Sequence, residues 1–116
     1  MKHPFSIKAE LEIQKNGECF LTLRRIELLR KIKSTGSILA ASKEIRMSYQ
    51  QAWSFVEQMN RLSPLPVVTR KRGGINGGGA DLTPFGANLI DRYEKLQALH
   101  NEYIQKTGEA MLFCFL

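Results

Sequence analysis

Residues 37–51, SILAASKEIRMSYQQ, hold two helix starts so close together that neither helix can be placed without the other. Gly36 suits the left-handed position that closes a preceding helix, and Ser37 behind it suits an N-cap. Ile38, Leu39, Ala41 and Ile45 then trace an apolar face at helical spacing. Only Arg46 to Ser48 separate this helix from a second start, where Ser48 followed at three residues by Gln51 spells a capping box. Ala52, Trp53, Val56, Met59 and Leu62 carry the second helix on one apolar stripe, Trp53 reading as core. Helices joined this tightly must cross steeply, which is the helix-turn-helix geometry.

Around this pair the chain alternates strand and helix signals. Ile7, Ala9, Leu11 and Ile13 alternate with Lys8, Glu10, Glu12 and Gln14, the period of a half-buried strand. Lys15-Asn16-Gly17-Glu18 predicts a type I′ turn and Cys19 to Leu23 a returning strand, so residues 5–23 read as a β-hairpin. Ile26, Leu28, Leu29 and Ile32 mark a first helix, with Arg25, Arg30, Lys31 and Lys33 largely off its apolar face. Residues 24–63 thus form a three-helix core that Pro64 and Pro66 terminate. Val67–Arg70 and Ala80–Leu82 read as two strands around a glycine loop, within residues 66–82. Thr83-Pro84 supplies an N-cap and a proline at the first helical position. The helix it opens spans 83–107, is marked by Phe85, Leu89, Ile90, Tyr93, Leu96 and Leu99, and is expected to stop at Gly108. The almost wholly apolar tail of residues 108–116 needs a cover, either a partner subunit or the N-terminal hairpin. The fold class is α+β in one domain of 116 residues, a winged helix-turn-helix with an N-terminal β-hairpin and a long C-terminal dimerisation helix.

Charge points to the partner. A formal net charge of +6 and a pI near 9.6 favour a polyanion, because basic surfaces attract phosphate regardless of sequence. The N-terminus lacks a signal peptide's apolar core and no run approaches membrane-spanning length, so the expected location is the cytoplasm with no membrane contact. Cys19 and Cys114 stand apart from each other and from His3 and His100 in sequence, which argues for reduced thiols and against a zinc site. No nucleophile–base pair, metal cluster or carboxylate pair is assignable, so neither an enzyme nor a cofactor is expected.

The stretch 70–86, RKRGGINGGGADLTPFG, has six glycines behind three basic residues. It fails as a P-loop, since Gly73 to Gly78 lead into Gly79-Ala80 rather than a lysine and a hydroxyl, and it contains no GxGxxG. A strand also intervenes before the next helix, whereas both phosphate motifs open directly into one. What remains is a β-ribbon behind a helix-turn-helix, the wing that lies along a DNA backbone. Arg70, Lys71 and Arg72 sit where it rises. Gly73, Gly74, Gly77, Gly78 and Gly79, with Asn76, let backbone N–H groups come close to phosphate. Tyr49 either touches DNA or covers the core, and Lys43 and Arg46 either hold phosphates or are merely solvated. A left-handed Arg46 would cost about 1 kcal/mol.

GSILAASKEIRMSYQQAWSFVEQMNRLS followed by VVTRKRGGINGGGADLTPFGANLI resembles the N-terminal winged-helix domain of the molybdate-responsive ModE regulators, from about Leu23 to Tyr93. Its most specific piece is GG-x-x-GGGAxLTxxG, and a weaker likeness extends to the LysR-type regulators. The resemblance implies a homodimeric, sequence-specific regulator of transcription bound to double-stranded DNA. It implies a recognition helix opened by Ser48, Tyr49, Gln50, Gln51 and Ser54, a wing over Arg70 to Gly79, and Ser37 and Arg46 beside them. Dimer contacts would come from the long helix, through Leu89, Tyr93, Leu96 and Leu99, together with the N-terminal segment. Arg46 replaces the family's usual glycine, and Gln50 and Gln51 replace residues that are often basic, so the target sequence should differ. The chain ends soon after its fourth helix, so no oxyanion sensor is expected in it and a separate effector or constitutive regulation would serve. Two alternatives stay open: a small oxyanion- or ligand-binding protein, and a winged helix used for protein contact.

Overall fold

Each of the four described α-helices begins on a hydroxyl that accepts a hydrogen bond from its own first turn. In the computed structural model, which describes residues 4–71 and 79–115, these acceptors are Thr22 (from Arg25 N, 3.2 Å), Ser37 (from Ala40 N, 3.1 Å), Ser48 (from Gln51 N, 3.1 Å) and Thr83 (from Gly86 N, 2.9 Å). They start α1 (Leu23–Thr35), α2 (Ile38–Glu44), α3 (Tyr49–Leu62) and α4 (Pro84–Leu112). Two antiparallel pairs complete the α+β fold: β1 (Ile13–Lys15) with β2 (Glu18–Leu21), and β3 (Val68–Lys71) with β4 (Gly79–Leu82). The expected turn between β1 and β2 forms, with φ of 51° at Asn16 and 82° at Gly17. The return strand is shorter than expected because Thr22 leaves it to cap α1.

The core is built around α1. Ile26, Leu28, Leu29 and Ile32 are fully buried among Ala41, Ala52, Val56, Met59, Val67, Val68, Ala80, Ile90 and Tyr93. Leu39, expected on the apolar face of α2, is instead 46 % exposed, and Met47 from the following turn is buried. Arg25, expected off the face of α1, is also buried. Its guanidinium donates to the Cys19 and Phe20 carbonyls and to Gln58 Oε1, and stacks 4.5 Å from the Phe55 ring centre. A buried charge with such a set of acceptors ties β2, α1 and α3 together.

Between α2 and α3 the chain does turn left-handed at Arg46, with φ of 55°. Arg24 of α1 reaches across to the turn, donating to the Ile45 carbonyl at 2.5 Å and more weakly to that of Arg46 at 3.5 Å. At the start of α4, Thr83 N donates to the Val67 carbonyl at 3.0 Å, and the Thr83 hydroxyl reaches the Pro66 carbonyl at 2.6 Å. The helix comes so close there that a Cβ on Gly86 would lie 2.5 Å from the Val67 oxygen and 2.6 Å from Leu82 Cδ1.

The N-terminal alternation is real, but its partner is a helix. Ile7, Ala9, Leu11 and Ile13 are half-buried while the residues between them are exposed, yet only Ile13 lies in a strand. Residues 5–12 instead form an extended strap along α4. Gln97 accepts from Leu11 N (2.9 Å) and donates to the Ala9 carbonyl (3.1 Å), Tyr93 donates to the Leu11 carbonyl (2.7 Å), and Gln105 donates to that of Ile7 (2.9 Å). Tyr93 is therefore in the chain's own core, 1 % exposed, rather than on the open face of α4 where a dimer contact was expected. Burial, seconded by Glu10, pushes its phenol pKa up. The folded state thus holds that proton more tightly than the unfolded one. Its contribution is complete below the ordinary phenol range and is lost as pH rises through the raised value.

Gly108 does not stop α4, which runs on to Leu112. A Cβ there would run into Ile7 Cδ1, so the glycine makes room for the strap. In the tail Leu112 is buried while Met111 and Phe113 stay exposed. The far half of α4 projects from the core: the radius of gyration is 17.4 Å, against about 13 Å for a compact chain of this length.

Replacing Arg46 by glycine should remove the left-handed penalty and stabilise the fold by up to about 1 kcal/mol, read as a higher denaturant midpoint at unchanged slope.

Candidate nucleic-acid interface

Once Ala52, Val56, Met59 and Leu62 turn one side of α3 inward, helical geometry turns Tyr49, Gln50, Ser54, Glu57 and Arg61 outward. All of these are exposed, Tyr49 at 40 %. Gln51, at the third helical position, is exposed as well, and its backbone N–H is the one that Ser48 caps. Ser37 serves as a cap in the same way at α2. Lys43 and Arg46 are exposed on the turn side of this face.

The β3–β4 hairpin stands beside α3, and three ties hold it. Asn60, near the end of α3, accepts from Val67 N (2.7 Å) and Val68 N (3.1 Å) and donates to the Val68 carbonyl (2.9 Å). Ala80 N donates to the Gly36 carbonyl at 2.9 Å, stitching β4 to the turn before α2. Arg70 lays its guanidinium 4.2 Å from the centre of the Trp53 ring.

Trp53, expected in the core, is thus half-buried at its edge and serves as a platform for the hairpin. Gly79, expected to admit phosphate, opens β4, where a Cβ would approach the Gly36 carbonyl at 3.3 Å. Lys71 pairs with Asp81 across the hairpin at 3.0 Å, both ends exposed, so the pair adds little stability. Arg72, Gly73, Gly74, Asn76, Gly77 and Gly78 lie outside the described residues. Among the described residues Lys43, Arg46 and Arg70 have no salt-bridge partner.

The chain is similar to regulators named ModE. The transcriptional regulator ModE of Haemophilus influenzae is 39 % identical over 87 residues, which is 75 % of this chain and 34 % of that protein. The DNA-binding transcriptional dual regulator ModE of Escherichia coli is 38 % identical over 92 residues, 79 % of this chain and 35 % of that one. The molybdenum-pterin-binding protein MopB of Rhodobacter capsulatus is 50 % identical over 74 residues, 64 % of this chain and 27 % of its own. The chain therefore spans about a third of the length of these relatives. No protein-family model matches it.

Two side chains hold the site in place in roles the sequence reading did not assign: Asn60, and Arg25, which was expected off the apolar face. Asn60 had a visible signal: an amide two residues before the end of an amphipathic helix, with prolines shortly after. Arg25 had none, because its spacing matches that of its solvated neighbours.

The dimer expectation divides along α4. Leu96 and Leu99 are 49 % and 64 % exposed, and Tyr103, one turn on, is 66 % exposed. Leu89 packs partly against the core. No helix of the described residues is long and apolar enough to cross a membrane.

Asn60→Ala should cost about 1–3 kcal/mol, because it leaves the N–H of fully buried Val67 without its acceptor. Chemical denaturation measures the loss; an unchanged midpoint would show that water replaces the amide.

Proposed function

We propose that the chain is a sequence-specific DNA-binding regulator of transcription, built as a winged helix-turn-helix and acting as a homodimer in the cytoplasm. In this reading α3 enters the major groove and the β3–β4 hairpin is the wing on the phosphate backbone. The observation that carries it is the exposed polar face of α3 beside Lys43, Arg46 and Arg70, cations without carboxylate partners among the described residues. Unneutralised cations flanking a helix fit a ligand that brings its own row of negative charge. The names of the Haemophilus and Escherichia relatives support the same reading.

In this arrangement the roles separate. Gln50, exposed at the second position of α3, meets base edges, where its amide matches the N6 and N7 pattern of adenine. Tyr49 and Ser54 flank it, and Ser37, Arg46 and the basic rise Arg70–Arg72 hold phosphates. Changing Arg70, Lys71 and Arg72 together to alanine should weaken binding to every duplex alike and flatten its salt dependence, by about 0.9 in log–log slope for each phosphate no longer neutralised. Gln50→Ala should instead re-rank duplexes selected from a random pool, by about 1–3 kcal/mol at one base position. A chain without duplex affinity at low salt would sink the DNA reading in favour of a protein-contact role. Stabilisation of the isolated chain by molybdate, without DNA binding, would favour a ligand-binding one.

For the dimer, the second subunit covers Leu96, Leu99 and Tyr103, an apolar stripe at helical spacing on the projecting half of α4. A double change, Leu96→Asp with Leu99→Asp, should convert a dimer to a folded monomer by light scattering, with helical content retained. A mass that does not change would place the contact elsewhere.

A further inference from the structure

We propose that Trp53 is a positioning residue for Arg70, holding its guanidinium as a preset phosphate clamp and locking the hairpin to α3 so that the two meet DNA as one piece. The proposal rests on the DNA-binding reading above and deepens it. Arg70 lies on β3, is exposed, and has no salt-bridge partner among the described residues, so no carboxylate fixes its direction. What fixes it is the indole of Trp53, with the guanidinium carbon 4.2 Å from the ring centre.

Stacking and hydrogen bonding use different parts of the group. A guanidinium carbon placed over a ring leaves the group's in-plane N–H donors at its rim, where they can fork onto a phosphate. The stack therefore orders Arg70 before DNA arrives without consuming a donor, and less side-chain freedom is lost on binding. Trp53 sits on α3 one turn after Tyr49 and next to Ser54, so the same contact couples the helix that reads bases to the strand that meets the backbone. At the other side of the hairpin, Ala80 N on the Gly36 carbonyl prevents β4 from swinging away. Lysine at position 70 would keep the charge and lose the planar face.

The test is a double-mutant cycle on duplex affinity, measured well below the unfolding midpoint and repeated across salt concentrations. Arg70→Ala should weaken binding and lower the magnitude of the salt slope by about 0.9. Trp53→Leu changes no charge. It should weaken binding roughly two- to five-fold, the range of an exposed cation–π contact. In the Arg70→Ala background the same change should have no further effect. Trp53→Tyr, which keeps a ring, should restore most of the affinity, and Arg70→Lys should keep the salt slope while giving up the stacking contribution. A merely structural tryptophan would weaken binding equally in both backgrounds; losses that multiply overturn the proposal, as does a Trp53→Leu variant that binds like the wild type. A wild-type chain that binds no duplex at low salt sinks the DNA reading and this proposal with it. Binding with multiplicative losses sinks this proposal alone.

Discussion

Four residues, Ile45 to Ser48, carry the chain from α2 into α3, and the left-handed backbone at Arg46 makes that reversal possible in so short a span. A non-glycine residue accepts this conformation only where the surroundings impose it. Here Arg24 imposes it by donating to the carbonyls on either side of the turn, while the side chain of Met47 is drawn into the core. With the turn fixed, Ala52, Val56 and Met59 fall onto α1 and the opposite face of α3 is left outward. The candidate site is thus a consequence of core burial. A helix with one apolar side, pinned at its start, has no freedom left to choose which residues it shows to solvent.

The hairpin depends on α3 in turn. Two short strands are marginal alone, and of this pair only Val68 and Ala80 are buried. Its orientation must therefore come from outside the ladder. Asn60 supplies it at the base through two N–H groups and one carbonyl. The Ala80–Gly36 bond supplies it on the α2 side, and the Trp53–Arg70 stack on the α3 side. On strands held at these three points Arg70 presents its charge in one direction, which a freely solvated arginine would not do.

Features governed by neighbours in sequence were legible before any coordinates. Ser37, Thr83-Pro84, Gly36 and Asn16-Gly17 act as read, because caps and tight turns are decided within four or five residues. Ser48 caps α3 without the return bond from Gln51 that a full capping box would add. What escaped depends on partners far along the chain. Arg25 looked like Arg30 in the pattern, yet it lies within reach of two carbonyls of β2 and an amide of α3. Gly108 spelled a helix stop, yet Ile7, a hundred residues earlier, occupies the space its side chain would need. Trp53 matched the apolar stripe, and only the return of β3 beside it gave its ring another use. On the interface itself, the outward face of α3 was readable from period alone, whereas the geometry of the hairpin was not.

The strap on α4 shows why a helix's buried side need not be apolar. A strand in a sheet finds hydrogen-bond partners in the next strand, but an extended segment on a helix finds none there, because helical backbone groups are already paired among themselves. Side chains of the helix have to provide them. Tyr93, Gln97 and Gln105 do so for Ile7, Ala9 and Leu11, so two glutamines of α4 face the segment it holds. A hydropathy pattern reads Gln97 as exposed, yet it is 8 % exposed, while Leu99 two residues on is 64 % exposed. Polarity on the strap side and leucine on the open side invert the usual rule for a surface helix. That inversion marks α4 as a beam with one face already covered from within the chain and the other left for something apolar to cover.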